Sequence, residues 1–341
     1  MSALQQPLPW QQDLWLDLSS LVLQKQLSHA LLLSGPAGVG KRHFAHALAA
    51  FLLCESRSGY ACGHCRSCAQ LAAGNHPNAL LLSSEGLHGL SLTESGRGEQ
   101  GLAHWTPDKD SKKRDIAIAA VRKMIDMLVL SSHYQSAKVV LIDPADALNL
   151  SSVNSLLKTI EEPPPDTHLL LLSERPQALL PTLRSRCQKI AFAVPEESLA
   201  LPWLQAQQAS ADAALLREAR GAPLAALALA TSDERARHRE WSELCTALLA
   251  MKQEPIGAAQ RVGKDDAPAF LAWAVGWLTA QLRQQLLGDS PAALPPGDLH
   301  TLLQECLDAR RRMEHNANPQ MVLEALFVLA SRMARAQRRA A

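Results

Sequence analysis

Gly35-Pro-Ala-Gly-Val-Gly40-Lys41 decides how the chain is read. An apolar run, His29-Ala-Leu-Leu-Leu-Ser34, precedes it, and a helix-forming run, Arg42–Leu53, follows it. Glycines let a backbone turn its N–H groups toward a phosphate. The helix N-terminus adds positive potential, and a lysine placed like Lys41 reaches the outer phosphates. A glycine-rich turn with an incidental lysine is the rival reading, and the strand before and helix after weigh against it. Gly35, Gly38, Gly40 and Lys41 are therefore candidate nucleotide-binding residues.

Four more apolar runs read as buried strands: Ala79–Ser83, Lys138–Asp143, His168–Ser173 and Gln188–Phe192. Between them, Ile116–Leu130 and Ser151–Glu161 carry helix-type apolar spacing. Strands that are apolar on both faces and separated by helices specify a parallel sheet covered on both sides, an α/β domain. Beyond Pro195 the strand-like runs stop. Glu196 to Ala230 reads as short helices interrupted at Gly221-Ala-Pro223. Then Trp241–Met251, Ala267–Leu287, Leu299–Met313 and Met321–Ala336 suit an all-α bundle, with breaks at Pro255, Pro291–Pro296 and Asn316–Pro319. Trp273 and Trp277, at helical spacing, read as core. Glu85 to Asp115 is rich in glycine, serine and charge and reads as a long surface loop or partly disordered insertion.

Composition bounds the possibilities. The 341 residues are 47% apolar and 20% charged, which suits a globular chain of two or three domains. Lys plus Arg number 34 against 33 Asp plus Glu, so no strong net field draws the whole chain onto nucleic acid or lipid. No uncharged apolar run approaches the ~18–20 residues a membrane span needs, and Met1–Pro9 lacks a signal peptide's pattern. A cytoplasmic protein with no membrane partner is the expectation.

The phosphate loop lacks parts that hydrolysis needs. After the lysine, a Ser or Thr hydroxyl should coordinate Mg²⁺; here stands Arg42, a cation itself. Asp143 closes its strand with a carboxylate suited to hold the metal through water. The next residue, which should orient the attacking water, is Pro144. Asp146 lies three residues on, too far to be assumed a substitute. These losses argue against ATP hydrolysis and leave ATP or ADP binding open.

Seven cysteines are unevenly placed. Cys54, Cys62, Cys65 and Cys68 crowd one stretch, while Cys187, Cys245 and Cys306 stand alone. Clustering of this kind suits one metal site in a reducing compartment better than a disulfide framework. Four thiolates fill a closed tetrahedral Zn²⁺ site, which makes the metal structural. Iron–sulfur ligation and unliganded thiols are the rivals. His64 and His76 lie nearby and are expected to face solvent.

Further on stand Asn154-Ser-Leu-Leu-Lys158-Thr-Ile-Glu161-Glu-Pro-Pro164 and Arg184-Ser185-Arg186-Cys187. With the glycine loop, the four-cysteine insert and the strand ending at Asp143, these motifs resemble, in the same order, the AAA+ clamp-loader subunits of bacterial DNA polymerase III. The specific motifs cover Leu27 to Phe192, and Asn316-Ala-Asn-Pro319 before the last helix agrees. The resemblance implies an AAA+ α/β domain with the cysteine insert over 1–193, a helical lid over 194–234 and a helical collar for oligomerisation over 235–341. It also implies that Arg186 acts as an arginine finger in a neighbour's ATP site, with Arg184 less well placed. Partners would be the gamma/tau ATPase and delta subunits, the sliding clamp, and primed DNA through the complex. Motor subunits carry a sensing arginine after a Gly-Ser pair in the lid; the matching stretch is Gly221-Ala-Pro-Leu224, with leucine in its place. With Arg42 and Pro144, this makes three losses, and they point to a stator that keeps the fold and the finger without hydrolysis. An ATP-hydrolysing motor subunit is the alternative.

Overall fold

The computed structural model describes residues 6–90, 115–130, 137–208, 211–231, 234–287 and 294–340, and divides into two compact units, Met1–Ala230 and Thr231–Ala341.

In the first unit, six strands form one sheet: β1 (Ala30–Ser34), β2 (Ala79–Ser83), β3 (Gly86–Gly89), β4 (Lys138–Ile142), β5 (Thr167–Ser173) and β6 (Gln188–Ala191). Their order is β3-β2-β4-β5-β1-β6, and all neighbours are parallel except the β2–β3 hairpin. Each apolar run pairs in register; Leu31, for example, lies opposite Leu170 and Gln188. Side chains of a strand alternate between faces, so a run apolar throughout must feed two cores. Leu31 and Leu33 pack with Trp15, Phe44 and Phe51 on one face, while Ala30 and Leu32 pack with Val153, Leu156 and Ile160 on the other.

The first face is covered by α1 (Gln12–Leu23), α2 (Lys41–Leu53) and the short α3 (Arg66–Ala72). The second is covered by α4 (Ile118–Leu130) and α5 (Leu150–Glu161), the latter capped by the Asn149 side chain, which accepts from the Ser152 N–H at 3.0 Å. A four-residue turn of helix, α6 (Pro181–Arg184), precedes β6. A third apolar cluster joins Leu8 to α7 (Glu197–Gln207), α8 (Ala213–Glu218) and α9 (Pro223–Thr231).

The described residues of the second unit form helices joined by short turns, with no strand among them: α10 (Glu234–Leu249), α11 (Pro255–Val262), α12 (Ala267–Leu287), α13 (Pro296–Glu314) and α14 (Pro319–Ala340). Trp241, Phe270, Leu271, Leu302, Leu323 and Phe327 form its core. Trp273 and Trp277 are half-buried against that core, their rings stacked at 5.8 Å.

Two expectations change. Gly86–Gly89 forms an antiparallel edge strand where a loop was expected, and 91–114 of that insertion lie outside the described residues. The break at Pro255 holds, since one helix ends at Leu249, but the proline also opens a helix over Pro255–Val262 that the apolar spacing does not mark. Glu254 accepts from the N–H groups of Ile256 (3.1 Å) and Gly257 (2.7 Å), and proline fits the first helical position because its missing N–H has no partner there.

Candidate functional site

Sheet order brings the chemistry together. β1 and β4 are separated only by β5, so the loop after Ser34 and the carboxylate after Ile142 emerge at the same edge, the edge where open parallel sheets bind ligands.

The glycine loop is held by its carbonyls. Lys41, buried at the start of α2, donates Nζ to the Gly35 and Pro36 carbonyls at 2.8 and 2.6 Å. Burial pushes its pKa down. Val39 O accepts from Trp10 Nε1 at 3.0 Å and Gln11 Nε2 at 3.2 Å. Gly38 O accepts the Leu224 N–H at 3.0 Å.

Arg42 turns to the neighbouring carboxylate. Its Nε donates to Asp143 Oδ2 and its Nη2 to Asp143 Oδ1 at 3.0 Å, a fork-to-carboxylate pair. Asp143 is buried. Burial alone would lower the guanidinium's pKa, but the Asp143 charge and hydrogen bonds outweigh it and raise it. A magnesium ion at Asp143 would need the oxygens that this guanidinium already occupies. Nor is Asp146 free to help: Oδ1 accepts from Ser173 Oγ at 2.7 Å, and Oδ2 from the Glu174 N–H at 2.8 Å and the Arg175 N–H at 3.3 Å.

Arg186 lies on the surface, 38% exposed, away from these groups in its contacts. Its Nε donates to Glu161 Oε1 at 2.5 Å and its Nη1 to Thr182 O at 3.0 Å. Glu161 belongs to the Asn-x-Leu-Leu-Lys motif, so the two motifs meet across 25 residues of sequence. Arg184 instead is half-buried, with Nη1 on Pro176 O at 3.3 Å.

At the far end of α2, Cys54 meets Cys62, Cys65 and Cys68, with all four sulfur atoms within 4.8 Å of one another. A tetrahedral Zn²⁺ with ~2.3 Å bonds needs sulfur atoms about 3.8 Å apart. Two pairs here stand at 4.0 Å. Backbone N–H groups already point at the sulfurs: Cys62 N to Cys54 Sγ at 3.2 Å, Cys65 N to Cys62 Sγ at 3.3 Å and Cys68 N to Cys65 Sγ at 3.4 Å. Backbone N–H donation, His64's first, lowers the Cys62 thiol to about 6, while burial raises Cys54 and Cys68. This donor set fits a four-coordinate thiophilic ion.

The histidines take other roles. His64 is exposed and bonds Cys62 O through Nδ1 at 2.8 Å. His76 was expected at the surface but is buried. Its Nδ1 accepts the Asn78 N–H at 3.1 Å, so Nε2 carries the proton and donates to Ser67 Oγ at 2.9 Å, and Ser67 in turn donates to Leu53 O at 2.7 Å. Both ring nitrogens are occupied, and His76 serves as a strut under the cysteine turn.

Over residues 10–196 the sequence matches the family described as DNA polymerase III, delta subunit. DNA polymerase III subunit delta-prime of Pseudomonas aeruginosa is 34% identical over 87% of this chain and 83% of its own length. The subunit of the same name in Escherichia coli is 32% identical over 81% of this chain and 76% of its own. The chain belongs to the delta-prime family of DNA polymerase III subunits. The resemblance read from the clamp-loader motifs thus holds. Among solved structures, a DNA polymerase III gamma-subunit-related protein from Thermotoga maritima aligns with 93% of this chain and 99% of that one. Its identity of 14% and TM-score of 0.46 are too low to carry argument. Among the described residues of this delta-prime family member, no helix is long and apolar enough to cross a membrane.

Proposed function

We propose that this chain is a non-hydrolysing stator of a bacterial clamp loader, retaining the AAA+ architecture and lending an arginine to a neighbouring ATPase. The observation that carries this reading is the Arg42–Asp143 pair: a side-chain cation fills the position that Mg²⁺ needs for phosphoryl transfer. Pro144 supplies neither carboxylate nor N–H beside it, and Leu224 stands where a sensing arginine is expected.

Arg186 supports the second half of the reading. An arginine finger must reach out of its own chain, and a 38%-exposed guanidinium held by an exposed carboxylate and the Thr182 carbonyl can exchange the carboxylate for a phosphoryl oxygen. In the assembly, 1–193 forms the AAA+ domain, 194–234 the lid and 235–341 the collar. Its partners are gamma/tau and delta subunits, the sliding clamp and, through the complex, primed DNA. A structural Zn²⁺ is held by Cys54, Cys62, Cys65 and Cys68 and joins the end of α2 to the start of α3. The degenerate nucleotide site comprises Gly35, Gly38, Gly40, Lys41, Arg42 and Asp143, without metal-assisted cleavage.

Phosphate release measured first on the purified chain and then in a reconstituted loader tests the proposal. No Mg²⁺-dependent turnover is expected from the chain alone, together with loss of the complex's DNA-stimulated turnover on Arg186→Ala. Brisk hydrolysis by the isolated chain, abolished by Lys41→Ala, would identify a motor subunit instead.

A further inference from the structure

Helix α14 ends in a run of cations. After Glu324 the chain carries Arg332, Arg335, Arg338 and Arg339 and no further acid. Leu323, Phe327, Ala330 and Ala334 hold one side of this helix against the core of the second unit. With 3.6 residues per turn, Arg332 falls on the opposite side, and Arg335 and Arg338 step round toward α10 over about 9 Å of axis. All three are exposed. Arg338 Nη2 donates to Ala250 O at 3.0 Å, two residues before the exposed Lys252. Against these four cations the adjoining groove of α10 brings one acid, Glu243.

Other exposed arginines of this unit meet carboxylates: Arg261 meets Glu240 at 3.4 Å, Arg311 Asp308 at 3.2 Å and Arg312 Glu305 at 2.8 Å. Among the described residues, no carboxylate pairs with Arg332, Arg335 or Arg338. Asp298 is engaged by Gln337 at 3.0 Å and Glu324 by Gln320 at 2.9 Å. The helix dipole accounts for cations in a last turn, whereas Arg332 lies eight residues before the end at Ala340, more than two turns back. A protein partner would look for an apolar centre, yet α14 has no exposed large apolar residue after Met321 among its described residues. Nucleic-acid interfaces are polar and positive, and guanidinium forks match phosphate oxygens.

We propose that Arg332, Arg335 and Arg338 of α14, with Lys252, form a docking stripe for the phosphate backbone of duplex DNA. Duplex DNA, with one charge per ~1.7 Å of axis, is a dense polyanion for such a stripe. The near-neutral chain as a whole would not be drawn to it, but this local field is. The contact is made by this chain itself, and it stands or falls independently of the stator reading.

Fluorescence anisotropy of a short labelled DNA duplex, titrated with the full chain at several salt concentrations, tests it. Binding should weaken steeply with salt and show no sequence preference. Arg332→Ala with Arg335→Ala should weaken it by about tenfold and lower the salt slope by about two, one per lost phosphate contact. Arg332→Lys with Arg335→Lys should keep most of the slope, and this charge-preserving pair controls for any loss of folding in the first. No binding at low salt, or equal slopes in the parent and the alanine pair, would overturn the stripe. Displacement by poly-glutamate as readily as by unlabelled duplex would overturn it in favour of an acidic protein segment.

Discussion

The guanidinium of Arg42 grips the carboxylate of Asp143 with two hydrogen bonds across 101 residues of sequence. The contact forms only on folding, and it occupies a carboxylate at the sheet edge where the glycine loop emerges.

Removing the guanidinium should therefore cost stability and expose a cation site. Arg42→Ser leaves a buried Asp143 without its partner, which should cost about 2–3 kcal/mol, at or below the usual range because Arg42 is a quarter exposed. Urea unfolding of the variant should recover part of that loss in millimolar Mg²⁺, whereas the parent chain should not respond. Equal Mg²⁺ responses in the two proteins would rule out the guanidinium as the occupant.

Arg186 should behave in the opposite way. Exposed ion pairs contribute ~0–1 kcal/mol, so Arg186→Ala should unfold close to the parent midpoint. In the reconstituted loader it should lower DNA-dependent ATP turnover by at least about 100-fold, given the ~10³–10⁵ that fingers supply in trans. Glu161→Gln should act more mildly, by loosening the arginine's resting position. Undiminished turnover with Arg186→Ala would end the finger assignment.

Zinc content and tryptophan emission report together on the cysteine turn. Trp15 Nε1 donates to Gly59 O at 2.9 Å and its ring stacks on Tyr60 at 5.7 Å, both within the turn between Cys54 and Cys62. One zinc per chain is expected by metal analysis. Cys62→Ser with Cys65→Ser should release it and shift Trp15 emission to the red, because structural metal binding is folding free energy. Metal-free parent protein would refute the site.

Acid should destabilise the first unit through its buried histidines. Burial holds His46 down at about 3, and likewise lowers His43, His76 and His168. In the unfolded chain these groups titrate near 6.5. Below that pH the unfolded state binds protons that the folded state refuses. Stability is thus fully present above about pH 6.5 and falls as pH drops toward 3, by up to about 1.4 kcal/mol per unit for each such histidine. Denaturant midpoints from pH 7 to 5 should show the slope, and His46→Leu should reduce it by close to one proton. An unchanged slope would remove His46 from the account.

Much of this was legible before folding. Four strands, β1, β2, β4 and β5, could be read because each is apolar on both faces, a pattern that only a covered sheet satisfies. The fifth, β6, pairs as expected but is not a buried strand, since only Ile190 of Gln188–Ala191 is buried at this sheet edge. β3 could not be read, since Gly86-Leu-His-Gly89 offers one large apolar residue and gains its place by pairing with β2. Arg42, Asp143 and Arg186 were each readable as candidates, yet the bond between the first two depends on β1 and β4 ending one strand apart. Glu161 lay in a recognised motif with no local sign that it would reach Arg186. His76 carries no periodic signal either; its burial follows from a Ser67 hydroxyl and an Asn78 N–H that only the folded turn brings to its ring.

Helix α2 begins at Lys41 and ends beside Cys54. At ~1.5 Å per residue, its thirteen residues act as a rigid ruler of about 20 Å between the glycine loop and the sulfur knot. Nearly every side chain along that ruler is packed, so it has little freedom to slide or rotate. A displacement at the cysteine end would therefore be carried to the opposite tip, where Arg42 meets Asp143.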